Sequence, residues 1–222
     1  MRFLGQVYAL LARDLQVEAR TKDALGAMVV FSLLVLMAFS FALDLRPEVV
    51  AVVGPGVLWI SVVFAATLGL GRTFAREREQ AMLEGILIAP IDPAALFVAK
   101  LVLNALLMTL VLLVTVPAYA ALFNVPLEIG PLLANLLLGV IGLSAVGTLF
   151  SAVASHTRAR EVMLPVLMFP VIVPLLIAVV QGTGLALGVG SARPMPWLAL
   201  VAGFDAVYLA IGLLIFEHAL EE

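Results

Sequence analysis

The chain has 222 residues, of which 64% are apolar and 12% charged, and its formal net charge is -3. So few charges cannot cover a soluble globule of this length, and most of the surface must face lipid. A nucleic-acid partner is excluded by the charge balance and by the lack of a basic stripe with interleaved aromatics; disulfides and thiolate metal sites are excluded because there is no cysteine.

In the first segment, Phe3, Leu4, Val7, Tyr8, Leu11 and Leu15 recur at three- and four-residue spacing. Arg13, Asp14, Glu18 and Arg20 fall mostly off that stripe. The pattern predicts an amphipathic elbow helix over residues 1–23, lying along the membrane interface. The competing reading is an ordinary helix packed on a partner. The interfacial reading fits better, because Lys22-Asp23 leads straight into an apolar span. No short apolar core with a small-residue cleavage site precedes it, so a removable signal peptide is not expected.

Six stretches then reach the roughly 20 apolar residues needed to cross the hydrocarbon core: 24–43, 49–70, 94–123, 129–154, 162–180 and 197–216. The expected fold is an all-α integral membrane protein, one transmembrane domain over residues 1–222. In the second span, Gly54-Pro55-Gly56 could start the helix late or leave a re-entrant bend. Ten of the twelve Lys and Arg residues fall on one side of this topology (Arg2, Arg13, Arg20, Lys22, Arg72, Arg76, Arg78, Lys100, Arg158 and Arg160). Only Arg46 and Arg193 fall on the other. That asymmetry predicts cytoplasmic N- and C-termini. Trp197 fits an outer aromatic belt; Trp59, inside span two, fits it more loosely.

The region 71–93 after span two is the densest in signals. Through Glu84 it mixes both charge signs at helical density with Phe74, Met82 and Leu83. Glu84-Gly85 offers a helix stop, and Pro90 and Pro93 make a second corner. The pattern predicts a helix continuing inward from span two, a turn, and a short helix at the membrane surface. A solvated charged turn would explain the charges but not the apolar Ile86-Leu87-Ile88 that follows. Arg158-Ala159-Arg160-Glu161, after span four, is a weaker echo of Arg76-Glu77-Arg78-Glu79.

In span four, Ser144, Thr148 and Ala152 are four apart, as are Gly147, Ser151 and Ser155, giving a face of small residues for close helix packing. Its partner is another span or a second copy of the chain. Span five carries Pro165, Pro170 and Pro174, each removing an amide donor, so a kinked or broken helix is expected, as a moving part or a static bend. Asp205 sits near the middle of span six, where a lone carboxylate is costly. It is read either as a gate, proton site or substrate contact, or as a carboxyl hydrogen-bonded to a neighbour such as Asn104 or Asn135.

No catalytic, cofactor-binding or metal-binding residues are expected. There is no phosphate-binding Gly-x-x-x-x-Gly-Lys-Ser/Thr loop. His156 and His218 are far apart and come without cysteines, a poor metal set, and neither matches the expected depth of Ser144.

Arg76-Glu-Arg-Glu-Gln-Ala-Met-Leu-Glu84-Gly, with Leu87-Ile-Ala-Pro90 and Leu96-Phe-Val-Ala-Lys100, resembles the coupling region of type-2 ABC transporter permeases. Within that group the chain is similar to the heme exporter protein B family of the cytochrome c maturation system. The likeness extends to Lys22-Asp23-Ala24-Leu25, Pro55-Gly56-Val57-Leu58-Trp59 and Gly147-Thr148-Leu149-Phe150-Ser151. It implies a multi-pass inner-membrane subunit with six spans, an elbow helix and a cytoplasmic coupling helix. It also implies a separate ATPase subunit that binds the ATP, and haem-handling membrane subunits with an extracytoplasmic haem chaperone. In that family ATP hydrolysis is tied to release of the loaded chaperone. ATPase contacts are then expected at Phe74, Arg76, Glu77, Arg78, Glu79, Met82, Leu83 and Glu84, and at Arg158, Arg160 and Glu161. The alternative is a type-2 permease exporting another cargo, such as a lipid or drug.

Overall fold

The computed structural model describes residues 3–43, 46–79, 92–126, 129–155, 160–188 and 196–221. Seven helices follow in order: α1 (Phe3–Thr21), α2 (Asp23–Ala42), α3 (Pro47–Glu79), α4 (Pro93–Phe123), α5 (Ile129–Ser155), α6 (Arg160–Ala186) and α7 (Trp197–Glu221). No strand occurs among the described residues. Helices α2 to α7 are each long and apolar enough to cross a membrane, matching the six expected spans.

Helix ends follow local chemistry. Lys22 takes a left-handed conformation (φ 55°), which separates α1 from α2. Asp92 caps α4 by accepting from the Ala94 N–H at 2.9 Å, and Pro93 opens the helix where no N–H is needed. Asn124 ends α4 in a left-handed conformation (φ 53°).

One expectation about proline is corrected, and of the other only the break is. Helix α3 runs unbroken through Gly54-Pro55-Gly56, so span two neither starts late nor bends back. Helix α6 continues through Pro165, Pro170 and Pro174 to Ala186, beyond the expected end at residue 180, and is not broken. In lipid an interrupted helix strands many backbone groups, whereas one proline frees a single carbonyl, so continuity wins.

Helix α5 is the hub, packing on α3, α4, α6 and α7, and residues 142–149 are buried all round. Helices α2 and α3 pair closely, and α4 runs between α1 and α2 on one side and α5 on the other. Glycines admit large side chains from neighbours: Leu70 of α3 lies on Gly147, the Trp59 ring on Gly139, and Phe97 of α4 on Gly212 of α7. Without a solvent force between helices, such close packing supplies much of the association energy. A second apolar cluster joins Leu10 of α1, Leu96 and Phe97 of α4, Leu149 and Ala152 of α5, and Phe216 of α7.

Candidate functional site

The apolar span within α3 ends at Arg72, yet the helix continues to Glu79. Phe74, Arg76, Glu77, Arg78 and Glu79 therefore stand on about two further helical turns, so the helix does continue past span two. Met82, Leu83 and Glu84, with the expected turn and surface helix, lie outside the described residues, as does Arg158. Arg160 and Glu161 open α6.

Both flanks of this segment are tied to the start of the chain. Before it, Arg72 Nη1 donates to the Asp23 carbonyl at 2.8 Å, joining α3 to the first residue of α2. After it, the Asp92 N–H makes a long 3.4 Å bond to Gln6 Oε1 of α1. Two turns into α4, Lys100 Nζ donates to Asp14 Oδ2 at 2.7 Å. Lys100 is 1% exposed and Asp14 9%. Arg13, on the outer side of the pair, donates to Asp14 Oδ1 through Nε at 2.8 Å and Nη2 at 2.7 Å. Glu18 completes the junction: its Oε1 accepts from the Ala24 and Leu25 N–H groups at 3.0 and 2.9 Å. A carboxylate there satisfies free donors and meets the positive end of the α2 dipole.

This junction adds a second, packed face to the amphipathic α1. Leu4 and Tyr8, on its apolar stripe, are 77% and 75% exposed, whereas Asp14 and Glu18, off the stripe, are buried with Leu10. The face packed on the bundle is thus the Leu10-Asp14-Glu18 row, flanked by Val7 and Leu11. Charge signalled this face better than hydropathy: Lys100 inside an apolar span needs a buried carboxylate partner.

The small-residue face of α5 finds its partners within the chain. Gly147 receives Leu70, Thr148 Oγ1 accepts from Asn104 Nδ2 at 2.9 Å, and Ser144 Oγ lies 3.5 Å from Met108 Sδ. Ser151 is buried, and its hydroxyl makes no hydrogen bond. Replacing Thr148 by valine is expected to weaken the α4–α5 contact by about 0.6 kcal/mol, the average for a membrane interhelical hydrogen bond. Unfolding of the purified chain in a denaturing detergent series measures it.

Asn135 Nδ2 donates to the Val179 carbonyl and to Thr183 Oγ1, both at 2.8 Å. Neither it nor Asn104 bonds to Asp205, so that expectation is corrected: both amides are drawn to closer helices. Asp205 is 4% exposed, and neither carboxyl oxygen has a hydrogen-bond partner. Trp59 is also corrected. It is fully buried, donating to Thr183 Oγ1 at 2.8 Å, and is a core residue, not an interfacial anchor. Trp197 opens α7, half-buried, as an interfacial aromatic would. His156 lies outside the described residues and His218 stands near the end of α7. Among the described residues no cluster of His, Asp and Glu could hold a metal ion.

Six membrane-length helices locked by buried polar contacts, with a charged helical extension beyond the second, define a polytopic α-helical membrane protein. The chain belongs to the CcmB family, described as CcmB protein, whose pattern it matches over residues 5–222. It is similar to heme exporter protein B of Rhodobacter capsulatus, 32% identical over 211 residues that cover 91% of this chain and 93% of the relative. The corresponding protein of Paracoccus denitrificans is 29% identical over 204 residues, covering 91% and 93%. That of Pseudomonas aeruginosa is 28% identical over 192 residues, covering 86% of each chain.

Proposed function

We propose that this chain is the transmembrane permease subunit of an ABC transporter in cytochrome c maturation. It couples ATP hydrolysis in a separate subunit to haem delivery or release of a haem-loaded chaperone. Family membership across nearly the whole chain, among relatives named heme exporter protein B, carries this reading. The extension of α3 past its apolar span supports the mechanism.

The alternating charges from Arg76 to Glu79 suit a polar groove on the ATPase, with Met82, Leu83 and Glu84 continuing the contact and Arg158, Arg160 and Glu161 adding a second point. ATP binds the partner, and haem is handled by companion membrane subunits. The subunit sits in the inner membrane with both termini cytoplasmic, and a second copy can complete the translocation unit. Because α3 is one continuous helix, a displacement at Glu79 travels along a rigid rod into the span. Anchoring at Arg72, Asp92 and Lys100 turns that displacement against α1 and the start of α2.

Reversing the charges at Arg76, Glu77, Arg78 and Glu79 together tests the reading. If each interfacial contact is worth roughly 0.5–1 kcal/mol, assembly with the ATPase falls about tenfold or more. Levels of c-type cytochromes should fall with it, while the chain still accumulates in the membrane. Normal cytochrome assembly at normal expression overturns the proposal, and defective export of another cargo with intact cytochromes points to a different permease.

A further inference from the structure

Helix α7 is the least buried of the six spans. Its buried face is the row Val201, Asp205, Gly212 and Phe216, and most other positions are exposed. It packs chiefly on α5, with α6 and α4 beside it, and two glycine contacts fix its register. Near its Phe216 end, the Phe97 ring of α4 fills the space over Gly212. Nearer its Trp197 end the arrangement is reversed: Asp205 projects onto Gly142 of α5, where a Cβ would overlap both Oδ1 and the Leu175 side chain of α6. A carboxyl thus occupies a glycine hole; of the other such holes, that at Gly182 takes the Asn135 amide, and those at Gly69, Gly139, Gly147 and Gly212 take Met28, Trp59, Leu70 and Phe97.

The seam offers that carboxyl no donor, since both of its oxygens lack a hydrogen-bond partner. Nor does it offer a counter-charge. Helix α5 carries no titratable residue, and those of α6, Arg160 and Glu161, stand at its first turn, fourteen or more positions before Leu175. On α4, Lys100 pairs with Asp14, and the Tyr119 hydroxyl lies at Gly54 of α3. On α7 itself Tyr208 packs on Phe204, and Glu217, His218 and Glu221 lie three turns or more away. The Leu175 side chain lines the rest of the hole, so the carboxyl has an apolar wall beside it and neither a donor nor a cation. That polarity suits an O–H-bearing carboxyl and not a carboxylate.

We propose that Asp205 is a proton-binding site that latches α7: with its proton the carboxyl packs on Gly142, and without it the carboxylate leaves the seam. The ligand is a proton, and the moving part is the Trp197 half of α7, hinged at the Gly212–Phe97 contact. Docking is tight when the proton is bound and loosens as pH rises.

Infrared spectroscopy and hydrogen–deuterium exchange on the full-length chain in lipid nanodiscs test this. At neutral pH a carboxylic-acid C=O stretch, shifted by deuteration, is expected in the wild type and absent from Asp205→Asn. Raising the pH should remove the band and speed exchange over residues 197–210 about tenfold beyond the intrinsic change, a step missing from Asp205→Asn. Gly142→Ala, which fills the hole, should abolish the band at neutral pH with exchange already fast, and it serves if Asp205→Asn does not fold. No acid band in the wild type, a band indifferent to both substitutions, or a band lost without faster exchange overturns the latch.

Discussion

Replacing Asp14 by leucine is expected to destabilise the chain by about 3–5 kcal/mol, because it leaves the Lys100 ammonium buried without its carboxylate. The penalty comes mainly from the desolvation of a buried ammonium that its 2.7 Å carboxylate no longer offsets. The reverse change, Lys100→Met, should cost less, since Asp14 keeps two N–H donors from the more exposed Arg13. Removing both charges, Asp14→Leu with Lys100→Met, should restore stability to near wild type or exceed it by about 1–4 kcal/mol. Denaturant unfolding of the four proteins gives the cycle, and trypsin gives its location. In Asp14→Leu, α1 loses its hold on α4, and cleavage after Arg20 and Lys22 should accelerate while the spans stay protected. Wild-type stability in Asp14→Leu means that Lys100 is satisfied by groups other than Asp14, and the pair is then not what holds α1 to α4.

That pair marks the boundary of what the sequence shows. All six spans are legible because lipid imposes a single length and a single chemistry, and each apolar run declares both. The continuation of α3 past its apolar stretch is legible as well, because Arg76 to Glu79 keep helical charge density beyond it. Local bookkeeping of residue types fails where the deciding partner is distant. Asp14 and Glu18 read as the wet side of an amphipathic helix, and only Lys100, 86 positions on, makes Asp14 an inner residue. Trp59 reads as a drifting belt residue until Thr183 and Gly139 are brought beside it. The prolines of α6 read as kinks or breaks, and the break is absent because a sequence rule weighs one lost bond and not the many that a break would expose.

Trp59 carries the second large effect. Trp59→Ala is expected to cost about 3–5 kcal/mol, since the ring is fully buried between α3, α5 and α6. Trp59→Phe retains most of the packing and loses the bond to Thr183, a smaller cost of about 0.6–1.7 kcal/mol. Thr183 also accepts from Asn135, so the hydroxyl is not left bare. Gly139→Ala attacks the same contact from the other side. Its methyl would overlap the ring, which cannot retreat without breaking the 2.8 Å bond to Thr183, and overpacking of this kind costs about 1–3 kcal/mol. The two lesions should compensate: the alanine methyl at 139 partly fills the hole left by Trp59→Ala. The double variant should then be more stable than the sum of the singles by about 0.5–3 kcal/mol. Unfolding free energies of the four proteins, wild type included, decide it. Simple additivity would mean that the ring does not sit on Gly139, and the α3–α5 register that also seats Leu70 on Gly147 would have to shift with it.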